Sequence, residues 1–133
     1  MNELFADTFY FIALLSPADR AHDRARDITA ARRSTLVTSA WVLTELADGL
    51  SHHDTREAFL QTLRALQADP TAVIVGLEQS WYDLGLELYA NRPDKDWSLT
   101  DCVSFVVMKD RGITDALTGD HHFEQAGFRA LLK

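Results

Sequence analysis

Ala72-Val73-Ile74-Val75 is an unbroken apolar run that follows Asp69-Pro70. A run that does not alternate with polar residues marks a strand buried on both faces, the habit of parallel sheets covered by helices. Working outward, Thr35–Ser39 is a β-branched run, Leu4–Asp7 a short apolar one, and Ile113–Gly119 another. Phe128–Leu132 reads as a short edge strand. Helical patterns fill the intervals, and alternation of strand and helix means βαβ units. The expected fold is α/β, a three-layer α/β/α domain around a central, mostly parallel sheet of four to five strands, with residues 1–133 as one domain.

The helices are read from periodicity and stop signals. Phe9–Leu15 forms a turn or two of buried helix, ended by Ser16-Pro17. Ala18–Arg33 is polar, with a thin stripe of Ala21, Ala25 and Ile28. Ser39 caps Ala40–Leu50, whose core face is Val42, Leu43, Leu46 and Leu50. Thr55–Gln67 presents Phe59, Leu63 and Leu66, and Gln79–Ala90 presents Trp81, Leu84 and Leu88. After the polar loop Asn91–Trp97, the helix Leu99–Arg111 is apolar almost all round and therefore buried. Gly112 is its natural C′ residue.

Composition narrows the function. A net charge of −7 argues against a non-specific, high-affinity nucleic-acid binder. It leaves room for a nuclease in which a metal or a local basic patch supplies the attraction. One basic segment runs from Asp19 through Arg20, Arg24 and Arg26 to Arg32-Arg33, and its aspartates make it read as a solvated helix face. The single cysteine, Cys102, fits a reducing compartment. The longest early apolar run, Phe9–Leu15, is too short for a bilayer, which needs about 20 residues. No basic leader precedes it, so the chain reads as cytoplasmic, with no membrane partner.

Four acids carry the chemistry. Asp7 closes Leu4-Phe5-Ala6, Asp120 closes Ala116-Leu117-Thr118-Gly119, and Glu45 and Asp101 lie in helices that open just after a strand or loop. Ligands of open α/β sheets bind at the carboxyl ends of the strands. Acids gathered there would raise one another's pKa unless a cation were bound. Oxygen ligands of that kind suit Mg²⁺ or Mn²⁺, so the expectation is a metal-dependent phosphodiesterase. Taken singly, each acid has an ordinary role. Asp7 and Asp120 suit turns, Glu45 suits a solvated helix face, and Asp101 completes a capping box opened by Ser98.

Other candidates are weaker. His52-His53 and His121-His122 lack the helical spacing of a zinc site and read as surface loop residues. Cys102 lies at a helix start, where thiolates are favoured, but suits a small core position better. Asp7-Thr8-Phe9 lacks the second aspartate of a haloacid-dehalogenase-type phosphatase, and no P-loop string is present.

From Asp7-Thr8 through Ala40–Leu50 to Ser98-Leu99-Thr100-Asp101-Cys102 and Leu117-Thr118-Gly119-Asp120-His121-His122-Phe123, the chain resembles a PIN-domain protein, most closely a VapC-type toxin ribonuclease. The resemblance implies that Asp7, Glu45, Asp101 and Asp120 are catalytic, metal-binding acids. It makes Thr8 and Thr118 supporting hydroxyls. It also implies a single-stranded RNA substrate, a cognate antitoxin, a homodimer and Mg²⁺ or Mn²⁺ as cofactor. Phe9 departs from the small polar residue frequent at its position. Asp96 is either an added outer carboxylate or a loop cap. Two alternatives stay open: a non-catalytic PIN-like binding module, and an RNA-processing nuclease without an antitoxin.

Overall fold

The computed structural model describes residues 2–133. Its strands are β1 (Glu3–Ala6), β2 (Thr35–Ser39), β3 (Ala72–Val75), β4 (Asp115–Leu117) and β5 (Arg129–Ala130). All pair parallel in the order β3-β2-β1-β4-β5. The helices between them are α1 (Thr8–Leu15), α2 (His22–Ala31), α3 (Ala40–Gly49), α4 (Arg56–Ala68), α5 (Gln79–Asn91), α6 (Leu99–Arg111) and α7 (His121–Gln125). The chain builds outward from β1 to β2 and β3, then returns to the other side of β1 for β4 and β5. With right-handed crossovers, this reversal sends the connections of the two halves to opposite faces of the sheet. It makes β1 and β4 the switch point, where a crevice opens at the strand ends.

Burial follows the strand order. Phe5, Ala6, Leu36, Val37, Ala116 and Leu117, on the three central strands, are all buried. The run Ala72–Val75 is a strand as expected, but not one buried throughout. Only Val75 is buried, while Ala72, Val73 and Ile74 are half-buried, because β3 has a neighbour on one side alone.

Several boundaries differ from the sequence reading for local reasons. The helix expected from Ala18 starts at His22, since Ser16–Ala21 folds into turns in which Asp19 Oδ1 accepts from the Ala21 amide (2.9 Å). The last two strands are shorter than expected, β4 ending at Leu117 and β5 covering Arg129–Ala130 alone. Helix α7 was not anticipated, because five residues are too few to show a helical period. It is held instead by aromatic packing. Phe123 lies 4.9 Å edge-on from Phe105, Trp97 lies 5.0 Å from Phe105, and Trp97 Nε1 donates to Gln125 Oε1 (3.0 Å).

Helix α6 is the central pillar. Asp101, Cys102, Val103, Ser104, Phe105, Val107 and Met108 are all buried, and Gly112 ends the helix at φ 70° in the left-handed region. Arg111 grips Glu3 at the start of β1 through two bonds of 3.0 and 2.8 Å. Helix α5 packs so closely on α6 that a Cβ at Gly85 would sit 2.5 Å from Val103 Cγ2. No helix among the described residues is long and apolar enough to cross a membrane.

Val103 is fully buried and β-branched, so it cannot turn aside. Gly85→Val is therefore expected to lower unfolding stability by about 1–3 kcal/mol, read from the denaturant midpoint.

Candidate active site

The crevice at the β1/β4 switch point is a cleft of about 440 Å³. Its lining includes all four acids singled out in the sequence: Asp7, Glu45, Asp101 and Asp120. Asp19, Asp96 and His122 also face it, and among the described residues no lysine or arginine does. Each acid arrives by a different route. Asp7 ends β1 as the N-cap residue of α1. Glu45 projects from α3, a helix started by Ser39 Oγ accepting from the Val42 amide (3.2 Å). Asp101 enters on the first turn of α6, and Asp120 caps α7.

Every one of these carboxylates has one oxygen tied down. Thr118 Oγ1 donates to Asp7 Oδ2 at 2.9 Å and accepts from the Asp120 amide at 3.1 Å, so its proton is directed at Asp7. Thr8 Oγ1 donates to Glu45 Oε1. Asp101 Oδ2 accepts from the Ser98 amide (3.2 Å) and faces His122 Nδ1 (3.1 Å). Asp120 Oδ1 accepts from the His122 amide (2.9 Å). Among the described residues, the second oxygen of each makes no side-chain hydrogen bond. The capping role of Asp101 and its place in the cleft thus coexist, because they use different oxygens.

The electrostatics are strained. Asp7 is only 5% exposed, and burial pushes its carboxyl from 3.8 up to about 7, with the Asp101 and Glu45 charges adding and the Thr118 hydroxyl opposing. Burial likewise raises Asp101, helped by Asp120 and opposed by the Ser98 amide and His122. The donor set fits a hard cation: free carboxylate oxygens from four elements, without a lysine or arginine to neutralise them.

His122 corrects the sequence reading. It is not a surface loop residue, since its side chain is 20% exposed and wedged between Asp101 Oδ2 and Asp120 Oδ1 (3.1 and 3.5 Å). Adjacency to His121 hid it, because its role depends on α7 turning it back toward α6. His52, His53 and His121 are exposed, as expected. Asp120, His121 and His122 nevertheless present donor atoms within 4.8 Å of one another. Cys102 is fully buried, and burial pushes its thiol up to about 11, with Asp101 adding, so it holds no thiolate. The Phe9 ring covers Gly119 so tightly that a Cβ there would lie 2.5 Å from Cζ.

A parallel sheet with acids crowded at its switch point defines the class of protein. The chain matches the PIN domain family over residues 4–129 and belongs to it. It is 29% identical over 128 residues to the 23S rRNA-specific endonuclease VapC20 of Mycobacterium tuberculosis, covering 94% of this chain and 95% of that one. The crystal structure of that protein, described as a sarcin-ricin loop cleaving toxin, superposes with a TM-score of 0.84 at 25% identity, over 94% of this chain and 95% of that one. The fold is shared with a toxin–antitoxin complex from Klebsiella pneumoniae, with a TM-score of 0.63 at 19% identity, covering 89% and 87% of the two chains. FitAcB from Neisseria gonorrhoeae also has it, with a TM-score of 0.66 at 18% identity, covering 96% and 94%.

Because the folded chain holds the Asp7 proton more tightly than the unfolded chain, this contribution to stability is full below pH 3.8 and is lost as pH rises toward about 7. Metal-free protein is therefore expected to lose melting temperature as pH rises from about 4 to about 7. Asp7→Asn should flatten that slope in a thermal melt series.

Proposed function

We propose that this chain is a metal-dependent endoribonuclease that cleaves single-stranded RNA, the toxin of a toxin–antitoxin pair. The observation that carries the reading is the cleft itself, which among the described residues gathers six carboxylates and no lysine or arginine. Asp7 and Asp101 are the proposed principal ligands of Mg²⁺ or Mn²⁺, with Glu45 and Asp120 completing the set directly or through water. When bound, such a cation activates water for in-line attack and offsets charge on the leaving oxygen.

The chain's own residues supply the positioning. Thr118 and Thr8 each fix one oxygen of a proposed ligand, leaving the other aimed for use. Ser98 and His122 do the same for Asp101. His122 also joins Asp101 to Asp120, so the α6 and α7 acids keep one spacing. The curated relative named as an rRNA-specific endonuclease supports RNA as the substrate. The description of its structure as a toxin supports the antitoxin partner. A partner of this kind would present an arginine to the cleft, since its planar fork matches paired carboxylates. The expected homodimer is supported by Tyr82, Leu86 and Tyr89, exposed at helical spacing along α5.

Asp101→Asn is expected to abolish cleavage of single-stranded RNA while leaving metal-free stability equal or higher, because it removes like charge. Chelation should stop the wild-type reaction, Mg²⁺ or Mn²⁺ should restore it, and Cys102→Ala should keep it. Cleavage that survives exhaustive chelation would refute the mechanism. Expression of the wild-type chain alone should slow bacterial growth, and co-expression of the neighbouring small protein should restore it.

A further inference from the structure

The basic segment of α2 has a second side. Arg26 faces Asp23 and Asp27, and Arg32 is spent on Asp69, the Ser34 carbonyl and Thr71. Arg20 and Arg24 are different, for neither has a carboxylate partner among the described residues. Both line a groove of about 310 Å³ together with Phe9, Asp19, Gly119 and Lys133. Phe9 and Asp19 also line the acid cleft, so groove and cleft meet at these two residues.

Within the groove, Asp19 is the one carboxylate, and it forms no ion pair with Arg20 or Arg24 among the described residues. Asp19 Oδ1 accepts from the Ala21 amide, and Lys133 is paired with Glu124. Arg24 uses only its Nε, on the Leu131 carbonyl, which aims the guanidinium and leaves its terminal nitrogens without a hydrogen bond. In a chain of net charge −7, two unneutralised guanidinium groups beside a carboxylate cleft mark a place where a polyanion is received.

We propose that Arg20 and Arg24 bind backbone phosphates of the RNA strand next to the bond being cut, so that the groove holds the strand while the acid cleft acts on it. This rests on the ribonuclease reading of that cleft. An acidic protein segment would also satisfy two guanidinium groups. The shared wall with the cleft favours RNA, because a strand whose scissile phosphate lies at the acids must leave along an adjoining groove. The Phe9 ring at the junction offers an apolar face for the intervening base. These are positioning residues, and no bond is made or broken by them.

The test uses a fluorescent 12-nucleotide single-stranded RNA and the full chain. Arg24→Gln keeps an amide donor for Leu131 while removing the charge, and the Arg20 side chain makes no hydrogen bond among the described residues for Arg20→Gln to remove. In an Asp101→Asn background, the Arg20→Gln/Arg24→Gln pair should weaken RNA binding about tenfold. It should also flatten the plot of log affinity against log salt by about 0.7 for each side chain. Arg33→Gln/Arg56→Gln, with the same charge change away from the groove, should do neither. In the active background, KM for the 12-mer should rise with kcat unchanged, and a dinucleotide should be cleaved equally by both forms. RNA affinity and salt slope unaltered by the groove pair, or altered equally by the control pair, would overturn the proposal. Loss of antitoxin restraint with RNA binding intact would overturn it in favour of a protein ligand. Failure of the wild type to cleave with either cation would instead count against the ribonuclease reading, since the binding measurement stands without catalysis.

Discussion

The hydroxyl of Thr118 donates to Asp7 across the boundary between β1 and β4, and the site is arranged about that bond. Asp7 is a carboxylate almost out of water, which no other direct side-chain hydrogen bond steadies. Thr118 can perform this task because its oxygen is occupied from behind by the Asp120 amide, which leaves its proton one direction to point. The same short segment therefore fixes Asp7, positions Asp120, and leaves the β-ladder two residues early to do so. That explains why β4 ends at Leu117 when the residue pattern runs on to Gly119.

The remaining acids follow one design. A hydroxyl, an amide or an imidazole holds one oxygen and leaves the other toward the cleft. Holding groups of this sort fix direction without neutralising charge, so repulsion among the carboxylates persists until a cation enters. The fold bears that repulsion because the framework beneath is dry and closely packed. The buried face of α6, the Gly85 contact and the Trp97–Phe105–Phe123 cluster keep α6 and α7 from drifting apart.

Charge is segregated on the scale of a few residues. Among the described residues the cleft carries no lysine or arginine, whereas the groove sharing its wall carries Arg20 and Arg24 without carboxylate partners. A net charge of −7 would repel RNA at long range, so attraction has to be local. The division between a carboxylate cleft for the cation and a guanidinium groove for phosphates meets that need.

Much of this was legible in the residues alone. Thr35–Ser39 and Ala72–Val75 are strands with the expected limits, and Leu99–Arg111 is a helix with its cap and its terminal glycine where expected. These signals are local: β-branched runs, capping geometry and an αL glycine act over a few residues. The four acids could be picked out because strand ends are visible in sequence and parallel sheets collect them on one side. Strand order was not visible, since any of several orders satisfies the same pattern, and so the exposure of β3 was missed. His122 was missed because its partner, Asp101, lies 21 positions away and is reached only when the aromatic cluster docks α7 on α6. Which arginines stand free was likewise undecidable. Arg26 meets Asp23 and Asp27 on its own helix, whereas Arg24 is directed by the Leu131 carbonyl, 107 positions away, and that contact exists only once α2 is packed beside the cleft. Sequence determined the strands, the longer helices and the four candidate acids placed along them, because those signals are made by short-range forces. Tertiary structure decided which of their side chains meet, because that depends on long-range packing.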